Sequence, residues 1–148
     1  MNRGRSIFVF ALLLCGIAFG DMTLTRGAVT HSIVIPNDST PVDLNAAKEL
    51  QHYCECIGLG YLPINRVREF SGNALPIYVG WSDMAKEITK LSPEEMALDE
   101  SVICVTSDGR AVFAGHPTRG ALYAVYRFLE KYCDIRWWSG NEETTHLV

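Results

Sequence analysis

Runs of lysine and arginine are missing from this chain, and with them the usual means of gripping nucleic acid. Its 148 residues carry 13 basic and 17 acidic side chains; without residues 1–20, which hold Arg3 and Arg5 and no acid, 11 basic residues face 17 acidic ones, a balance of −6. Zinc lacks a ligand set: His31, His52, His116 and His146 are scattered, no H-E-x-x-H occurs, and Cys54-x-Cys56 is not a metal spacing. No serine stands in a G-x-S-x-G elbow. Glycines at Gly115 and Gly120 imitate a phosphate loop, but Ala121 and Leu122 stand where its lysine and hydroxyl belong. Nucleotide binding is therefore excluded, and the glycines are expected to make a tight strand-to-helix turn capped by Thr118. Glu142-Glu143 are adjacent in a polar tail, poorly placed to work across a sugar. No catalytic residue, cofactor or metal is expected.

Long apolar runs are equally scarce. The one candidate, Ile7 to Phe19, is too short for a comfortable membrane span. It follows a basic start and precedes Ala18-Phe19-Gly20, the pattern of a secretory signal cleaved before Asp21. A lipoprotein reading through Leu12-Leu13-Leu14-Cys15 is weaker, because Leu14 occupies a position where a small residue is wanted. The expectation is an exported protein, periplasmic or extracellular, with no transmembrane span and a single domain over residues 21–148. Export permits disulfides among Cys54, Cys56, Cys104 and Cys133, although a domain of this size buries enough surface without them. Cys54, Cys104 and Cys133 sit at apolar positions; Cys56 is the least buried by pattern.

What is present reads as alternating strands and helices. A strand is expected from His31, ended by Pro36, then a helix with Thr40 as cap, Pro41 in its first turn and Gly58 as its stop. Val42, Ala46, Ala47, Leu50, Tyr53, Cys54 and Ile57 form its buried stripe. "YLPINRV" and "LPIYVG" read as short strands, and Ser82 to Leu98 as surface helix in one or two pieces, the second opened by the capping box Ser92–Glu95. Ser101–Gly115 reads as a hairpin about Asp108-Gly109, with its first strand central because both faces are apolar. Last comes a helix from Thr118 whose apolar face holds Leu122, Val125, Tyr126, Leu129, Tyr132 and Cys133. Its rings are core rather than a ligand wall. Trp137-Trp138 is the exception, since adjacent residues of an extended segment point to opposite sides.

The order "IVIP", "AAKELQHY", "IYVG", strand–Asp-Gly–strand ending in "AG", and "RGALYAVYRFLEKYCDIRWW" resembles the N-terminal domain of alpha-glucuronidases, within the wider chitobiase/beta-hexosaminidase second-domain fold. Cys54-Glu55-Cys56 and Leu59-Gly60-Tyr61 depart from the pattern. The resemblance implies an α+β fold, a small mixed sheet with two long helices packed on it. It implies too a non-catalytic accessory domain, the N-terminal part of a longer architecture, beside a (β/α)8 barrel that holds the carboxylates of glycosidic cleavage. Arg119, Arg136, Trp137 and Trp138 are the candidate residues for an interface or a sugar contact. The alternative is a stand-alone carbohydrate-binding module with Trp138 stacked on a sugar ring.

Overall fold

The computed structural model describes residues 31–137 throughout, and the backbone of 7–10, 21–24 and 145–147. Apart from Ile7–Phe10, the signal-peptide segment lies outside the described residues, as do Trp138, Glu142 and Glu143. Strands β1 (Ile7–Phe10) and β2 (Asp21–Leu24) pair antiparallel. The domain proper begins at β3 (His31–Ile35), every residue of which is buried. Burial on both faces is what a parallel strand inside an α/β sheet experiences.

Helix α1 (Pro41–Cys56) follows, and its start is fixed by chemistry within four residues. The Asp43 amide donates to Thr40 Oγ1 at 3.1 Å, while Asp43 Oδ2 accepts from the Thr40 amide and hydroxyl, each at 2.9 Å. Ala46, Ala47, Leu50, Tyr53 and Cys54 are its buried stripe, and Gly58 turns the chain with φ +75°. Then come β4 (Ile64–Arg66), β5 (Leu75–Val79), α2 (Asp83–Thr89), β6 (Ser101–Val105), β7 (Ala111–Gly115), α3 (Gly120–Tyr132), and β8 (Ile135–Trp137) paired with β9 (Thr145–Leu147).

The main sheet has five strands in the order β4-β3-β5-β7-β6; all neighbours are parallel except β6 and β7. This is an α+β protein, a mixed sheet with α1 and α3 packed on one face. Ile33, Ile35, Ile77, Val79, Phe113 and Val105 point to that face and meet Leu50, Val125, Phe128 and Leu129. Val34, Tyr78, Val112, Ala114 and Val102 point to the other, where Ala85 of α2 is buried beside half-buried Trp81, Met84 and Ile88. No helix among the described residues is long and apolar enough to cross a membrane.

Four sequence expectations need correction. β6 is an edge strand: its two apolar faces reflect helices and loops covering both sides of the sheet, which happens at an edge as well as at the centre. The hairpin turn is longer than two residues, with the positive φ on Gly109 (+88°) and not on Asp108, and the Thr106 amide donating to Arg110 O. The second piece of 82–98 is one 3-10 turn, Pro93–Glu95, although Ser92 and Glu95 do form the capping box. On α3 the buried face centres on Ala121, Ala124, Val125, Phe128 and Leu129; Leu122, Tyr126 and Tyr132 flank it half-buried. Small residues at Ala121 and Ala124 let the helix approach the sheet, Phe128 fills the centre of the contact, and the tyrosine rings fill its margins.

Candidate functional site

Parallel strands β3, β5 and β7 end at the same edge of the sheet, and the chain leaves them in different directions. After β3 it passes through α1 to β4 on one side; after β5 it moves to the β6–β7 side. Such a reversal leaves a crevice at the carboxyl ends of the strands, the place where open α/β sheets hold ligands. Here the crevice has a volume of about 170 Å³. Asp38 and Thr40 come from the loop after β3, Asp43 from the first turn of α1, Gly80-Trp81 from the end of β5, and His116 from the end of β7.

Asp43, Trp81 and His116 are each held by a local device. Asp43 is the capping acid of α1, and burial raises its pKa above the ordinary carboxylate value; the Thr40 bonds oppose that rise and the Asp38 charge adds to it. The residue opposite is Gly80, at φ +90°, where a Cβ would stand 2.5 Å from Asp43 Oδ1. Only glycine allows the carboxylate to lie against that backbone. Trp81 Nε1 donates to Gly115 O at 2.7 Å, so the indole spans the ends of β5 and β7. His116 Nδ1 accepts from the Thr118 amide at 3.3 Å and lies 2.8 Å from Thr118 Oγ1, an arrangement that places the ring proton on Nε2.

The hydroxyl of Thr118 is thus engaged with His116 and does not cap α3. The N-cap is Arg119, without a side-chain bond, and His116 O takes the amides of Arg119 (3.3 Å) and Gly120 (2.7 Å). No lysine or arginine lines the crevice. Two acids, a threonine, an imidazole and a half-buried indole suit a neutral, hydroxyl-rich ligand better than an anion. Among the described residues no three His, Cys, Asp or Glu side chains stand together as a metal site.

Of the interface and sugar-contact candidates taken from the sequence, the described ones, Arg119, Arg136 and Trp137, do not assemble into one site. Arg119, at the start of α3, lies 3.9 Å from Asp99 Oδ1 and donates to Tyr123 Oη. Arg136 is at the far end, donating to Glu130 O at 2.6 Å and pairing with Asp134 at 3.0 Å, which places its charge at the negative end of the helix. Trp137 donates to Tyr53 Oη at 2.9 Å and packs edge-on against Tyr53 and Tyr126, with centroids 5.4 and 5.0 Å away. Its ring is a clasp between α1 and β8. Cys54, Cys56, Cys104 and Cys133 are free thiols. Cys56 is exposed on α1, its sulfur 3.7 Å from His52 Nε2, an i,i+4 contact that a search for histidine pairs alone passes over.

Asp38, Asp43, Trp81 and His116 were missed in the sequence. The usable signal was positional: "IPND", "VGW" and "AGHP" each stand just after a strand, so a parallel sheet brings all three to one edge. The fold defines a class, an α+β domain, and a small crevice lies at its strand ends. No family model matches the chain, and no curated protein matches it.

Proposed function

We propose that this chain is a non-catalytic accessory domain of an exported carbohydrate-active protein of the alpha-glucuronidase type, packing beside a catalytic (β/α)8 barrel. The observation that carries the reading is the use made of the segment on which the resemblance rests. Phe128 is fully buried and stacks on Phe113 at 5.1 Å, and Trp137 is bonded to Tyr53, so the rings of α3 and β8 hold the domain together. The acids point the same way. Glycoside cleavage takes two carboxyl groups facing each other across a sugar, about 5–9.5 Å apart. In the crevice Asp43 already serves as the cap of α1, and Asp38 is exposed at the rim.

A second reading, a stand-alone carbohydrate-binding module, is favoured by one observation: Trp81 presents a ring among Asp38, Thr40 and His116. One experiment separates the two. The chain is titrated with xylan-type and chitin-type oligosaccharides while tryptophan fluorescence is followed, and is then joined to a glucuronidase barrel. Flat titrations with a barrel made more stable or more active support the accessory domain. Saturable quenching by the isolated chain, lost in Trp81→Phe, supports the binding module. Neither quenching nor any effect on the barrel refutes both, and hydrolysis by the isolated chain refutes the non-catalytic assignment.

A further inference from the structure

Two of the four described thiols share one compartment. Cys54, near the end of α1, is 0% exposed, and Cys133, the C-cap of α3, is 6% exposed; both belong to the core between helices and sheet. The two helices start at the same edge of the sheet, after parallel strands, and lie side by side, so their carboxyl ends are neighbours. Two ties set their relative height: Tyr126 Oη donates to Glu49 Oε2 at 3.2 Å, and Trp137 Nε1 to Tyr53 Oη at 2.9 Å. Cys54 stands in the last turn of α1 and Cys133 caps the end of α3, so both residues belong to the helix ends that these ties hold together. Burial pushes both thiols up, Cys133 to about 12, and the more deeply buried Cys54 further, with the Cys133 charge adding to its rise. The other thiols are placed apart: Cys56 faces solvent beside His52, and Cys104 packs on the opposite face of the sheet.

We propose that Cys54 and Cys133 are a disulfide-forming pair, joined when the chain folds in an oxidising medium, and that the bridge staples the ends of α1 and α3. This inference is independent of the carbohydrate reading. The oxidant is a small disulfide of the oxidised-glutathione class. One protein thiolate attacks a sulfur of that disulfide, its S–S bond breaks, and one small thiolate leaves. The second protein thiolate then attacks the protein-bound sulfur and expels the other small thiolate. Two protein thiols are oxidised, one small disulfide is reduced to two thiols, and the two protons end on those thiols. The thiolate is the attacking species, and in the folded core both residues are buried and neither thiol ionises near neutral pH. Bridge formation therefore belongs to the interval before the core closes, and a chain folded under reducing conditions resists later oxidation.

The full chain is unfolded in reductant, then refolded either with a glutathione redox couple or with reductant alone. Refolding with the couple should lower the free-thiol count by two, yield a linked peptide containing Cys54 and Cys133, and raise the denaturant midpoint. The reduced, folded chain given the same couple should keep both thiols. Cys54 and Cys56 share a tryptic peptide, so Cys56→Ser is mapped in parallel and should retain the link. A linked peptide joining any other pair, loss of the link in Cys56→Ser, or no linked peptide after oxidative refolding overturns the proposal.

Discussion

Replacing Gly120 by alanine sets two physical effects against each other, and their signs differ. Gly120 is the first residue of α3, and helix propensity alone favours alanine there by up to about 1 kcal/mol. The structure points the other way. A Cβ at Gly120 would stand 2.5 Å from Gly115 Cα and 2.7 Å from Glu100 O, and would press on the Gly115 carbonyl carbon as well. Carbon–carbon contacts are comfortable at about 3.5–4.0 Å, so the new atom is about 1 Å too close to backbone that has no rotamer to change. Gly115 is closed in the same way: its own Cβ would lie 2.8 Å from Gly120 Cα and 2.8 Å from Ser101 Cα. Helix α3 would have to lift away from β7, loosening Phe128 over Phe113. Overpacking of this kind costs about 1–3 kcal/mol and more where backbone must move. Gly120→Ala should thus lose about 3 kcal/mol net, read as a lower urea midpoint with unchanged slope and a thermal midpoint lower by about 10 °C. A variant as stable as the parent, or more stable, would refute the reasoning, since propensity would then outweigh the contact.

The buried thiols give a second test, in reduced protein. Their folded pKa values lie above the ordinary 9.0, so their stabilisation is complete below that pH and is lost as pH rises through it. At pH 10 each unfolded thiol is mostly ionised and its folded counterpart is not, a loss of about 1.4 kcal/mol each and about 3 kcal/mol for the pair. Urea unfolding from pH 7.5 to 10.5 should show this slope in the parent and its loss in Cys54→Ala/Cys133→Ala; parallel profiles would be the contrary result. Third, Trp137→Phe and Tyr53→Phe each remove one partner of a half-buried hydrogen bond and should cost about 1–2 kcal/mol. Their double variant should lose less than the sum, and strict additivity would show that the two rings are not coupled.

Local chemistry was legible in the sequence where it acts within a few residues. Thr40, Pro41 and Asp43 announced the start of α1, and Gly58 its end, because a cap satisfies donors three residues away and needs no tertiary partner. The helix-on-sheet α+β arrangement was legible for a related reason: period and length distinguish α1 and α3 from the strands between them. Strand order was not. The apolar faces of Val102 to Val105 record that something covers both sides, and carry no information about which strand lies next along the sheet. The crevice was illegible for the same cause, since Asp38, Trp81 and His116 stand 35 or more residues apart and only the strand order brings them to one edge.

The glycine pair shows how the surroundings of a motif decide its use. Phosphate binding at a helix start depends on backbone amides left open toward the ligand. Around the start of α3 the amides of Arg119 and Gly120 both donate to His116 O, and the amide of His116, in the turn before the helix, donates to Glu100 O at 2.9 Å. Those donors are closed before any anion arrives, and Asp38 and Asp43 nearby would repel one. What the glycines supply instead is closeness: with no Cβ on either, the strand end and the helix start touch backbone to backbone, which sets α3 low on the sheet and lets Phe128 reach Phe113. Spacing that resembles a phosphate loop is here a packing device, and the missing lysine and hydroxyl at Ala121 and Leu122 follow from that, because both positions are needed for apolar contact with the core.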